Sequence, residues 1–232
     1  MGIPLYLAMT ALELQNCSRL PDHIAWMACH FSPYGTGLCN IPSSLPPKSM
    51  IILNDRTPIY GHDPQLITDQ LIELKEKLNP DYFLLDFQRS DSQETASLTQ
   101  TLVEKLPCPV GVSDLYATEL PCPIFLSPPM ITTPLVEHIS KWQGREIWLE
   151  SALDDMDIIV TEQGCVQSFT DTKLEDATEF ICAELYCHYR TEIYDGGVNF
   201  HLSRQKDDLS SLLSEAESLG VTTAVGLYQQ LK

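Results

Sequence analysis

Short apolar runs recur along the chain with turn residues or helical stripes between them, and this rhythm predicts a parallel α/β fold. Leu5 to Met9, Ile24 to Cys29, Met50 to Leu53, Tyr82 to Phe87, Val110 to Val112, Ile124 to Leu126, Ile147 to Leu149 and Thr223 to Tyr228 each read as a strand. Several are continuously apolar rather than alternating, the pattern of strands buried on both faces. Asp63-Pro64 opens a helix with Leu66, Ile67, Leu71, Ile72, Leu74 and Leu78 on one broad apolar face, Asp63 standing at the N-cap and Pro64 at the first helical position. Thr95 to Leu106 and Asp207 to Leu219 carry similar stripes, the latter closed by Gly220. Eight strands with helices between them make a (β/α)8 TIM-type barrel of the α/β class.

The pattern departs from a regular barrel in two places. The early half is helix-poor, and Phe31 to Pro47, rich in Ser, Pro and Gly, reads as a long surface loop. Later, Ile158 to Thr161, a turn at Glu162-Gln163-Gly164, and Cys165 to Phe169 read as a hairpin, followed by a helix over about Asp176 to Tyr189. The expected organisation is one barrel domain over 1–232, with a hairpin and helix inserted between the seventh and eighth strands at about 156–190. A small repeat supports the register: Leu106-Pro107-Cys108-Pro109-Val110 recurs as Leu120-Pro121-Cys122-Pro123-Ile124. Proline cannot donate to a ladder, so both copies belong at the beginnings of strands. Their spacing leaves room for only a degenerate helix between the fifth and sixth strands.

Composition mainly excludes. At 232 residues and 44% hydrophobic, the chain can bury a sizeable core. A formal charge of −18, with no basic stripe, argues against nucleic acid and anionic membranes as partners. No apolar run approaches the ~18 residues of a membrane span. The beginning Met1-Gly2-Ile3-Pro4 lacks a basic leader, and Tyr6 breaks a myristoylation motif. The eight cysteines are scattered, mostly in apolar runs and without a C-x-x-C pair, as reduced buried thiols are. A cytoplasmic protein is expected.

Barrels build their sites at the C-terminal ends of the strands. The polar residues there are His30 after the second strand, Asp55 and Arg56 after the third, and Asp86 and Gln88 on the fourth. Ser113 and Asp114 follow the fifth, Ser127 the sixth, Glu150 the seventh, and Tyr228 with Gln229 the eighth. Carboxylates converging on one mouth suit acid–base or sugar chemistry, because neighbouring charges push their pKa values apart. Each residue also has a plainer role open to it: Asp55 and Arg56 as a loop-holding pair, Asp114 as a cap, Glu150 as a solvated group. Asp86 stands out, since an ionised carboxylate inside an apolar run is costly unless paired. His30 beside Cys29, with Asp55 and Asp86 nearby in a barrel, could be assembled into a metal site, but no spacing demands it and a lone His is more often a satisfied structural residue, so no metal is expected. No cofactor is expected, and the G-x-S-x-G, G-x-G-x-x-G and P-loop motifs are absent from the sequence.

Asp81-Tyr82-Phe83-Leu84-Leu85-Asp86-Phe87-Gln88 resembles the fourth-strand signature D-x-x-D-x-D-x-E of the family-18 glycoside hydrolases, the chitinase-like barrels. Asp81 and Asp86 match its first and last Asp, Leu84 replaces the middle one, and Gln88 stands in place of the catalytic Glu. Val198 to Phe200, the helix after it and Gly220 to Tyr228 resemble the family's closing strand–helix–strand, with Tyr228 in the position of a sugar-stacking Trp. The resemblance implies a substrate-assisted reaction in which the Glu protonates the leaving oxygen. An amide cannot do so, and without the middle Asp nothing orients the substrate's acetamido group.

Three functions stand as alternatives. The first is a divergent barrel that binds a glycan or another small polar ligand through Asp86, Gln88, Asp55, Arg56, Asp114, Tyr228 and His30. The second is a hydrolase using another carboxylate, Glu150 or Asp114, as general acid. The third is a structural or interaction protein. Asp86, Gln88 and Glu150 are the candidates for catalytic positions.

Overall fold

A computed structural model describes residues 2–59, 61–89, 93–169 and 178–232. Its first half runs β1 (Leu5–Met9), α1 (Ala11–Asn16), β2 (Ile24–Phe31), β3 (Leu38–Cys39), β4 (Ser49–Asn54), α2 (Pro64–Leu78), β5 (Tyr82–Asp86) and α3 (Gln93–Lys105). Next come β6 (Val110–Ser113), α4 (Asp114–Ala117), β7 (Ile124–Leu126), α5 (Leu135–Ser140) and β8 (Ile147–Ser151). The remainder is β9 (Asp155–Thr161), β10 (Gly164–Phe169), β11 (Phe180–Cys182), β12 (Cys187–Tyr194), β13 (Gly197–Ser203), α6 (Lys206–Ser218), β14 (Val221–Leu227) and α7 (Tyr228–Leu231).

Among the described residues, β1, β2, β4, β5, β6, β7, β8 and β14 form a closed parallel barrel, with β1 pairing both β14 and β2 to complete the ring. These are the eight apolar runs of the sequence. Continuous apolarity follows from two separate cores. Tyr6, Ala8, Ala25, Met50, Ile52, Leu84, Phe125, Trp148 and Val225 alternate into the barrel interior. Their neighbours, such as Ile51, Leu53, Phe83, Leu85 and Leu149, face outward under the helices. Between β2 and β4 runs the predicted loop, interrupted only by β3, which turns back antiparallel against the end of β2.

Local chemistry fixes the helices. Asp63 accepts the Gln65 N–H at 2.9 Å, Pro64 fills the first turn, and Ile67, Leu71 and Leu74 are buried. The helix ends at Asn79 in the left-handed conformation, φ 49°, with its N–H on the Lys75 carbonyl. Pro109 and Pro123 stand at strand beginnings, their carbonyls accepting from Phe83 (3.2 Å) and Val112 (3.0 Å). The degenerate helix expected between them is α4, a single turn.

The lower barrel is packed with aromatic rings. Tyr82 lies edge-on to Trp148, with centroids 5.1 Å apart, and Tyr6 edge-on to Tyr82 at 5.8 Å. Trp148 is fully buried, and its indole N–H is held by Glu146 Oε1 at 3.0 Å. Opposite it is Gly111; a Cβ there would collide with the six-membered ring of Trp148. The glycine is what lets the indole lie across the lumen.

Between β8 and β14 the chain builds a second sheet, antiparallel, in the order β10-β9-β13-β12-β11. The predicted hairpin is β9–β10. The helix expected over about Asp176 to Tyr189 is corrected: residues 170–177 lie outside the described part, and the segment after them forms β11, a turn and β12. Ile181, Leu185 and Tyr189 mimic a helical stripe in sequence. Tyr186 interrupts it with φ 50°, and from Cys187 the side chains alternate across a strand. Val198 to Phe200, expected in the barrel's closing unit, belongs instead to β13, so the insertion extends to Ser203 rather than to about residue 190. Ile131, Met156, Cys187 and Leu202 form the small core joining this sheet to the barrel.

Arg204 fastens that junction. Its guanidinium side chain is 1% exposed and lies 3.6 Å from Asp154. It donates to the carbonyls of Pro129, Leu185 and Tyr186, each at 3.3 Å.

Candidate functional site at the barrel mouth

Strand parity decides what reaches the mouth. On β5 the inward series is Tyr82, Leu84, Asp86; on β8 it is Trp148, Glu150; on β4 it is Met50, Ile52, Asn54. The last member of each lines a cavity of about 90 Å³ with Ala8, Met27, Phe125, Val225, Gly226 and Leu227. Two carboxylates thus share one pocket whose lining includes no Lys, Arg or His.

The pocket raises both acids. Burial pushes Glu150 up to about 7, helped by the charges of Asp86 and Asp154. Burial also lifts Asp86, and the charge of Asp55 adds to it; a hydrogen bond from Gln88 opposes the rise. That bond, Gln88 Nε2 to Asp86 Oδ1 at 2.6 Å, ties the amide at the rim to the carboxylate inside. Gln88 is exposed. The pair of acids has the character of a general acid beside a second carboxylate: one group keeps its proton near neutrality because its neighbour is charged and water is scarce.

Asn54 was not among the sequence candidates, although its parity with Ile52 marks it. Its amide N–H group lies 3.3 Å from each of the carbonyls of Met27 and Cys29, at the irregularity of the β2–β4 ladder between Trp26 and Cys29. Its Oδ1 accepts from the Arg56 N–H at 3.1 Å. It therefore positions both the strand end and the loop beginning beside Asp86.

The other candidates lie outside the pocket. Asp55 points away, is 5% exposed, and accepts the Arg89 N–H at 2.8 Å. Arg56 is exposed and contributes its backbone, the carbonyl taking Arg89 Nη2 at 2.9 Å. Asp55 and Arg56 are thus no ion pair; each anchors the segment after β5. Ser113 bonds the Leu85 carbonyl and the Phe87 N–H, stitching β6 to β5. Asp114 opens α4 and makes a surface pair with Lys141 at 3.7 Å. The Nδ1 of His30 lies 2.9 Å from the Ala28 carbonyl, a local contact.

Tyr228, expected as a stacking platform, is displaced from the mouth for a simple reason. β14 ends at Leu227, which with Val225 occupies the inward parity, so the next side chain turns outward. Its hydroxyl lies 3.4 Å from Cys17 Sγ, near the end of α1. Gly226 is the tight point of this strand end, since a Cβ there would come 2.7 Å from the Ser151 carbonyl oxygen.

No family model and no curated protein matches the chain. Solved structures do match. A chitinase-like agglutinin from Robinia pseudoacacia superposes with TM-score 0.62 at 12% identity, over 95% of this chain and 93% of that one. A class V chitinase from Nicotiana tobaccum, a Glu-to-Gln mutant in complex with NAG4, gives TM-score 0.61 at 12% identity over 97% and 93%. The spore cortex-lytic enzyme SleL of Bacillus cereus gives 0.58 at 9% over 97% and 70%. The chain has the fold of the chitinases and chitinase-like proteins, as its fourth-strand signature implied.

Proposed function

We propose that the chain binds an amino-sugar oligosaccharide, or a closely related polar glycan, at the mouth of its barrel and does not carry out the family's standard reaction. The observation that carries this reading is the 2.6 Å bond between Gln88 and Asp86. A carboxamide there holds a hydroxyl or a neighbouring carboxylate but cannot deliver a proton and take it back. Leu84 leaves no second carboxylate beneath Asp86 to orient an acetamido group. Among proteins of the same fold, an agglutinin and a Glu-to-Gln chitinase holding NAG4 lend support to glycan capture. Barrel and insertion work as one domain in this reading, joined through Arg204, and the eight unpaired thiols suit a cytoplasmic location.

Calorimetric titration with N-acetylglucosamine oligosaccharides tests it. Wild type should bind, and Asp86→Ala should lose at least tenfold in affinity. No binding by any amino-sugar oligosaccharide, or equal binding by the two proteins, removes the reading.

The raised Glu150 favours a second reading, a glycoside hydrolase in which Glu150 protonates the leaving oxygen and Asp86 is the paired carboxylate. Aryl glycosides assayed across pH decide between the two. A rate that falls as pH rises through about 7 and vanishes in Glu150→Gln establishes the hydrolase; a rate equal to buffer throughout excludes it.

A further inference from the structure

The inserted sheet holds two cysteines with no role at the barrel mouth. Cys182 ends β11 and Cys187 begins β12, and the two are direct cross-strand partners in the antiparallel ladder. Directly opposed residues of antiparallel strands have Cα atoms ~4.5–5.5 Å apart, within the ~4.4–6.8 Å that a disulfide spans. The two side chains are near enough that Cys182 contributes to the upward shift of the Cys187 thiol, after burial. A second pair near in sequence lacks this geometry: β3 sets Cys39 opposite His30, so Cys29, one residue earlier on β2, faces the other side. The two sulfurs of the matched pair differ in access, since Cys182 is partly exposed and Cys187 fully buried.

We propose that Cys182 and Cys187 are a redox modification site, forming a reversible disulfide by exchange with a low-molecular-weight disulfide of the glutathione type. Cys182, after losing its proton to water, attacks one sulfur of the glutathione disulfide. That S–S bond breaks, one glutathione thiolate leaves, and a mixed disulfide remains on Cys182. Cys187 then loses its proton to solvent and attacks the Cys182 sulfur, expelling the second glutathione thiolate. Two protein thiols are oxidised, and one glutathione disulfide is reduced to two thiols. Burial pushes the Cys187 thiol up to about 11, so this internal step is the slower one and quickens with pH. The product clips the three-residue edge strand β11 to β12, across the turn whose Leu185 and Tyr186 carbonyls receive Arg204. Oxidation would therefore brace the insertion where it meets the barrel. The inference rests on ladder register alone and is independent of any glycan site.

The test uses the intact chain in glutathione buffers of increasing oxidised fraction, quenched by alkylation and mapped by mass spectrometry. The expected result is a linked Cys182–Cys187 fragment that grows with the oxidised fraction and is lost on adding dithiothreitol, while the other six cysteines stay alkylated. Cys187→Ser should stop at the mixed disulfide on Cys182. Should that buried substitution prevent folding, Cys182→Ser gives the complementary reading, with no linked fragment and Cys187 free of glutathione. Full alkylation of both cysteines of wild type across the whole range overturns the proposal. A lasting mixed disulfide on Cys182 in wild type does the same.

Discussion

Replacing Glu150 by Gln should stabilise the protein in alkaline solution and flatten its pH dependence. The side chain sits in the barrel mouth with Asp86, and its carboxyl titrates at about 7 instead of the ordinary 4.5. In the folded state the protonated form is favoured; in the unfolded chain it is not. Between about pH 4.5 and about pH 7 the native state therefore binds more protons than the unfolded one, and stability falls as pH rises. The penalty is absent below that window and complete above it. At about 1.4 kcal/mol for each tenfold change in acidity, the ionised side chain costs the fold on the order of 3 kcal/mol. Asp86 is raised in the same pocket, so the fall belongs to the interacting pair, and removing Glu150 also relieves part of the strain on Asp86. Urea unfolding at a series of pH values, for wild type and Glu150→Gln, measures the effect. The two should be near equal at about pH 4.5, with the variant ahead by about 2–3 kcal/mol at about pH 8. Parallel curves across that range would falsify the burial argument.

Three further outcomes are expected. Gly111→Ala drives a methyl into the indole of Trp148 and should destabilise by about 2 kcal/mol, read as a lower urea midpoint; an unchanged midpoint would show that the lumen has room to spare. Arg204→Met leaves Asp154 and three carbonyls without their cation and should cost about 3 kcal/mol, with early proteolysis within 155–203; uniform proteolysis along the chain would deny the junction this role. Tyr228→Phe should leave glycan affinity unchanged, because the hydroxyl contacts Cys17 outside the pocket, and a tenfold loss would return Tyr228 to the site.

How much of each element the sequence displays depends on how completely that element is buried. The eight barrel strands face the lumen on one side and helices on the other, so each is written as an apolar run. Asp86 is conspicuous because it breaks such a run. Asn54 is masked by its charged neighbour Asp55, yet period-two counting from Ile52 selects Asn54 and turns Asp55 outward. Asp55 and Arg56 look like a pair for the same missing reason: successive residues leave a strand end in opposite directions. The β11–β12 region imitates a helix because two short, half-exposed strands and their turn happen to space Ile181, Leu185 and Tyr189 four residues apart. The role of Gly111 is invisible in sequence, since it depends on an indole arriving from a strand two places round the barrel.

The ring is sealed by β1, which holds Leu5 opposite Ala224 on one flank and Leu7 opposite Ile24 on the other. A ribosome delivers these partners at very different times. At ~5–20 residues per second, β1 waits on the order of 10–40 s for β14. Throughout that interval the nascent sheet has two open edges, one of them the apolar strand Leu5–Met9, and such edges recruit other chains. The inserted sheet, whose strands are near neighbours in sequence, can form during the wait. Substitutions that weaken β14 should therefore register first as poor yield of soluble protein during synthesis, before any loss is measurable in the purified, finished molecule.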